Sequence, residues 1–185
     1  MELLKTVIAK IAEMKVSRSA EPVLFLNMHV AQYKLESGSL PDAKVLVESG
    51  REELDRLSDV DPSVSAAVYY VASLYWKATF NYAEFYRTTL MYLSFVSSDT
   101  LPEASSNADP CSMDWVMLGH HQPFCFMQEF KVRMAVDVSL AALLGENVYS
   151  FGQLLQHPIA AALDNGPHQW LHEMLKVFNE GNLHR

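Results

Sequence analysis

From Leu3 the apolar residues fall at Leu3, Leu4, Val7, Ile8, Ile11 and Met14, the i, i+3/i+4, i+7 spacing that puts one stripe along a helix. The same period returns from Val23 to Leu35 and predicts a second helix ending at Gly38, where glycine takes the left-handed cap conformation cheaply. Ser39 caps a third helix that carries Leu40, Ala43, Leu46, Val47 and Leu54 and stops near Leu57. Pro41 is tolerated there because first-turn N–H groups have no intrahelical partner. Asp61-Pro62 starts a fourth helix running to about Thr79, and Asn81 caps a fifth running to Val96. Helices of this length with short links predict antiparallel hairpins that stack.

Periodicity then breaks. The stretch SSDTLPEASSNADPCSMDWVMLGHHQPFCFMQEF carries three prolines, many small polar residues and no helical stripe until about Gln128. About thirty structureless residues inside a helical domain are anomalous, and residues 98–127 read as an irregular, disordered insert. Order resumes over 128–185 in short helices. Gly145 serves as a C-cap, Ser150 with Gln153 as a capping box, Pro158 as a break at His157, Asn165-Gly166-Pro167 as stop and restart, and Gly181 as the last cap. Trp170, Leu171, Met174, Leu175 and Phe178 share one face of the final helix. As a core residue, Trp170 would cost about 3–5 kcal/mol on truncation to alanine.

The resulting fold class is all-α, a tetratricopeptide-like α-solenoid of helical hairpins over 1–97 and 128–185, interrupted by the insert. Gly38 and Ala43 stand where such repeats have their turn glycine and the small residue that lets two helices approach. The aromatic run from Tyr69 to Phe95 reads as bulky packing between helical layers, with hydroxyls reaching the rim.

Composition agrees. Half of the 185 residues are hydrophobic and 19% are charged, enough apolar material for a packed core and too little for a membrane bundle. Fourteen Lys and Arg against 22 Asp and Glu leave a formal net charge of −8, the wrong sign for phosphate backbones or anionic lipid. Two cysteines cannot build a disulfide framework, and MELLKTVIAKIAEMK lacks a secretory core, so a reducing compartment is expected. No segment approaches the roughly 20 apolar residues that span a bilayer.

Candidate chemistry is sparse. Cys111, His120, His121 and Cys125 are ligand types, but their spacing lacks the paired arrangement of structural zinc sites. His157 has no nucleophile or paired carboxylate beside it in sequence and reads as a helix-end histidine contacting the last carbonyls. His168 and His172 repeat the i, i+4 spacing of HExxH, yet the segment is HQWLH and has no glutamate to act as base. The seven glycines are isolated, so no phosphate-cradling loop exists. The reading is a protein with no catalytic, cofactor or metal site and no small-molecule substrate.

Residues 140–182 carry a more specific signal. Leu143-Leu144-Gly145-Glu146, Phe151-Gly152 with Leu154-Leu155, His157-Pro158, Gln169-Trp170-Leu171, and Phe178-Asn179 with Gly181-Asn182 occur in order. This segment closely resembles the subunit 13 family of the proteasome regulatory-particle lid, a PCI family, and residues 1–97 resemble it more loosely through helical phasing and the LESGSL turn. The resemblance implies a non-catalytic scaffold that supports lid assembly and ubiquitin-dependent protein degradation in cytoplasm and nucleus, with other lid subunits as partners. Phe151, Gly152, His157, Pro158, Trp170 and Phe178 become the signature and partner-facing candidates. The family continues into a winged-helix PCI module that this sequence is expected to lack. It has only a short link where this chain has Ala104 to Phe130, which points to a retained intron or misjoined exon. The competing reading is a free-standing adaptor that binds peptides on a concave face.

Overall fold

A computed structural model of the chain describes residue 6 and residues 20–96, 124–149, 151–164 and 167–181, with side chains of the 124–144 helix described from residue 131 onward. Every regular element among the described residues is helical, the all-α arrangement of helical hairpins that the periodicity predicts. In chain order these are α1 (Ala20–Glu36), α2 (Leu40–Arg56), α3 (Pro62–Ala78), α4 (Tyr82–Phe95), α5 (Phe124–Leu144), α6 (Phe151–Gln156), a 3-10 helix (Pro158–Leu163) and α7 (Gln169–Glu180). The expected helix over Leu3–Met14 lies outside the described residues. The chain divides into two compact units, Met1–Val96 and Ser97–Arg185.

In the first unit each boundary has a local cause. Gly38 at φ 82° closes α1, with its N–H on Leu35 O at 3.0 Å and the Ser39 N–H on Lys34 O at 2.9 Å, the paired bonds of a Schellman motif. Ser39 holds the N-cap position of α2 as expected, but its hydroxyl makes no capping bond. Asp61 Oδ1 accepts from the Ser63 amide at 2.8 Å and begins α3. Asn81 Oδ1 accepts from the Glu84 amide at 3.2 Å and begins α4. The end of α3 repeats the Schellman geometry, with Asn81 N–H on Trp76 O at 3.1 Å and Phe80 N–H on Lys77 O at 3.2 Å, and places Phe80 at φ 58°.

These helices bury one continuous core. Leu24, Met28 and Ala31 of α1 meet Val47 of α2 and Val64, Val68, Val71, Ala72 and Tyr75 of α3. Removing one of the larger of these side chains leaves a cavity costing about 2–5 kcal/mol. α3 packs on α1, α2 and α4, so successive hairpins share a helix layer as in a tetratricopeptide-like solenoid. In α4 the buried Thr88 and Thr89 satisfy their hydroxyls by donating to Glu84 O and Phe85 O, each at 2.7 Å. The aromatic run splits in two. Tyr75, Phe85 and Tyr86 are buried and Tyr70 meets Tyr92 with ring centres 5.3 Å apart, whereas Phe80, Tyr82 and Phe95 are exposed.

In the second unit α5 begins at Phe124, so its first turn falls inside the stretch read as irregular. The remainder of 98–127 lies outside the described residues. α5 buries small side chains, Ala135, Val138, Ser139, Ala141 and Ala142, and packs against the 3-10 helix, whose Ile159, Ala160 and Leu163 are also buried. α5 ends at Leu144 next to Gly145, but the left-handed residue that follows is Asn147 at φ 60°. Asparagine tolerates that conformation because its short polar side chain bonds locally. The capping box at Ser150 and the Asn165-Gly166 turn lie outside the described residues.

Candidate interaction surface

Pro158 cannot continue α6, because its ring fills the position of an amide donor and biases His157 to extended backbone. His157 accordingly has ψ 139°, and its Nδ1 accepts from the Ile159 amide at 3.2 Å, making it the N-cap of the 3-10 helix. The residue contacts Leu154 O through its own backbone N–H at 3.1 Å, while the ring faces forward to a donor. Pro158 sits exposed at the first helical position.

Six residues later the 3-10 helix ends at Asp164, whose carboxylate bonds the Nδ1 of His172 on α7. His172 is buried, with Leu171 and Leu175 beside it. That pairing assigns His172 a structural partner and separates it from His168, which occupies the N-cap position of α7. Gly181 closes the helix at φ 70° as expected.

The five-residue stripe on α7 does not enter the core as one face. Leu171 and Leu175 are fully buried, whereas Trp170 is 56% exposed, Met174 41% and Phe178 42%. Trp170 is therefore no core residue, which corrects the large truncation cost anticipated for it. Residues i, i+4 and i+8 form a straight ridge on one side of a helix, so Trp170, Met174 and Phe178 run the length of α7 as an apolar ridge open to solvent. Phe151 of α6 supports one end, its ring centre 6.2 Å from that of Phe178. Gly152 lies beside it, and a β-carbon there would meet Asn179 Oδ1 at 3.5 Å, an ordinary contact. Of the signature candidates, Phe151 of α6 meets Phe178 of α7 with Gly152 facing Asn179, Trp170 lies at the other end of the α7 ridge, and His157 and Pro158 shape the 3-10 turn.

Elsewhere the surface offers little for chemistry. A shallow, open depression lies between Glu21, Pro22 and Phe25 of α1 and Asp61, Ser63 and Val64 at the start of α3. Among the described residues no three His, Cys, Asp or Glu side chains group as metal ligands, and no helix is long and apolar enough to cross a membrane. Cys111, His120 and His121 lie outside the described residues.

Sequence comparison gives the arrangement its context. The family described as PSD13 N-terminal repeats matches residues 1–114 and 117–175, leaving only Trp115 and Val116 between the two segments of a match that runs through most of the expected insert. The 26S proteasome non-ATPase regulatory subunit 13 homolog B of Arabidopsis thaliana is 37% identical over 180 residues, which is 97% of this chain and 40% of the plant protein. The 26S proteasome non-ATPase regulatory subunit 13 of Dictyostelium discoideum is 31% identical over 172 residues, 91% of this chain and 38% of its own length. The probable 26S proteasome regulatory subunit rpn9 of Schizosaccharomyces pombe is 33% identical over 154 residues, 83% and 34% respectively.

Proposed function

This chain belongs to the PSD13 N-terminal repeat family, and on that premise we propose that it is a non-catalytic scaffold piece of the 26S proteasome regulatory-particle lid. In this reading it supports lid assembly and, through it, ubiquitin-dependent protein degradation in cytoplasm and nucleus. The chain spans about 40% of the length of the plant relative it matches, so the activities of that longer protein come to it as part of the proposal. The family match over residues 1–114 and 117–175 carries the reading.

The physical features support a surface that works by contact. An apolar ridge of Trp170, Met174 and Phe178 is rich in the large side chains that dominate protein interfaces. Its partners are other lid subunits. Nucleic acid and anionic membranes are disfavoured as partners by a net charge of −8.

Expression of the tagged chain, followed by glycerol-gradient sedimentation and quantification of lid subunits, tests the proposal. Co-sedimentation with lid subunits in stoichiometric amount is the expected result. A chain that sediments alone, while its full-length relative in the same cells sediments with proteasomes, would overturn the scaffold role and leave the peptide-binding adaptor as the reading to pursue.

A further inference from the structure

The link between α2 and α3, residues 57–61, is pinned at two points. Leu57 and Val60 pack against the core of the first unit, whereas Ser58 and Asp59 between them are exposed. Asp59 has φ 64°, in the left-handed region, which bends the link at that point. Most exposed hydroxyls among the described residues are committed to internal bonds, Ser37 to Lys34 O, Ser49 to Leu46 O, Ser63 to Asp61 Oδ1 and Ser94 to Met91 O. Ser58 takes part in none of these and stands outside every helix.

Its sequence setting is acidic on one side, with Asp59 at the next position and Asp61 at the third. Ser39 and Ser49 also have an acid three residues on, Asp42 and Glu52, as do Thr100 and Ser106, with Glu103 and Asp109, which lie outside the described residues. Ser39, however, opens α2 and is followed by Leu40-Pro41, and Ser49 lies inside α2. A kinase groove needs an accessible hydroxyl on non-helical chain, and of the three described serines with this spacing only Ser58 is both exposed and clear of the helices and their caps. We propose that Ser58 is a phosphoacceptor for an acid-directed serine/threonine kinase, one whose substrate groove carries cationic side chains that meet Asp59 and Asp61.

The transfer is ordinary phosphoryl chemistry. Ser58 Oγ attacks the γ-phosphorus of magnesium-bound ATP in the kinase, the bond from that phosphorus to the β,γ-bridging oxygen breaks, and ADP leaves with the electron pair. The hydroxyl proton passes to a kinase carboxylate. The product carries about −1.5 to −2 charges one residue beyond the C-cap of α2, the negative end of that helix. It also lies three positions from the capping carboxylate of Asp61. Both juxtapositions are repulsive, so phosphorylation loosens the α2–α3 junction.

The test is to incubate the full 185-residue chain with a casein kinase 2 type enzyme and magnesium ATP, and to map phosphate by tandem mass spectrometry. Ser58 is expected to be the dominant site, and Ser58→Ala to remove most of the incorporation. Asp59→Asn leaves the Asp61 cap intact and is expected to slow labelling about tenfold, the loss of one charge-assisted hydrogen bond. Phosphate on other hydroxyls in place of Ser58, undiminished incorporation in Ser58→Ala, or an unchanged Ser58 rate in Asp59→Asn would each overturn the assignment.

Discussion

Met28 Cε of α1 occupies the space that a β-carbon on Gly50 of α2 would need, with Met28 Sδ 3.2 Å and Leu24 Cδ1 3.5 Å from the same point. At Gly50 the side chains of α1 leave no room for a β-carbon on α2. Two opposed effects follow for Gly50→Ala. Alanine improves helix propensity by about 1 kcal/mol, but overpacking a full core costs about 1–3 kcal/mol. Met28 is buried, so its terminal methyl has to shift within a packed core, and a net loss of stability is expected. In a Met28→Ala background the obstruction is gone, and the same Gly50→Ala change is expected to stabilise. A urea-unfolding double-mutant cycle checks the reversal of sign.

Trp170→Ala is expected to change unfolding free energy by less than about 1 kcal/mol, whereas Leu171→Ala or Leu175→Ala costs about 2–5 kcal/mol. The contrast tests the division of α7 into an inner and an outer face. Replacing Trp170, Met174 and Phe178 together by serine should leave the far-ultraviolet spectrum intact while removing lid subunits from the gradient fractions that contain the chain.

Ser139 Oγ is fully buried on α5 without a hydrogen-bond partner. A buried polar group left unpaired is a net penalty, and alanine is also the better helix former. Ser139→Ala is therefore expected to raise stability by about 1 kcal/mol, read as a higher urea midpoint with an unchanged slope.

Burial raises the hydroxyl pKa of Tyr70 above the ordinary tyrosine value, with the carboxylate of Glu36 adding to it, and burial raises that of Tyr92, with Tyr70 adding to it. The folded state therefore holds more protons than the unfolded chain above about pH 10. Stability supplied by these rings is fully present below that value and is lost as pH rises beyond it. Alkaline unfolding of Tyr70→Phe and Tyr92→Phe should set in at higher pH than in the unsubstituted chain, as monitored by circular dichroism.

At the opposite extreme, the Ser63 hydroxyl and then its amide hold the Asp61 pKa below the usual aspartate range. A depressed pKa gives stability that is present above the unfolded value and fades as pH falls through the folded one. Asp61→Ala is expected to lower the melting temperature at pH 7 and to flatten its acid dependence, with Asp61→Asn, which retains a capping oxygen, the milder of the two.

What sequence made legible here was local. Gly38, Asp61, Asn81 and Gly181 mark helix ends because each acts on backbone within a few residues of itself. Gly50 was illegible because its role is set by Met28, 22 positions upstream and on another helix. The α7 stripe was found, but five apolar residues at i, i+1, i+4, i+5 and i+8 cover a wide arc, and periodicity alone does not say which edge of the arc meets the core. Only the packing of α6, α5 and the 3-10 helix around α7 decides that Leu171 goes in and Trp170 stays out. His157 is similar. Its place before Pro158 marked a helix break, while the orientation of the ring depends on a donor offered by the following turn.

The Asp164–His172 bond restrains α7 in a way that bears on recognition. With His172 held at its ring and Leu171 and Leu175 sunk on the same side, α7 cannot roll about its long axis without breaking that bond and uncovering both leucines. The azimuth of Trp170, Met174 and Phe178 is thus settled before any partner arrives. Docking against such a helix spends entropy on side-chain rotamers and very little on orienting backbone, which is the advantage of a preorganised interface.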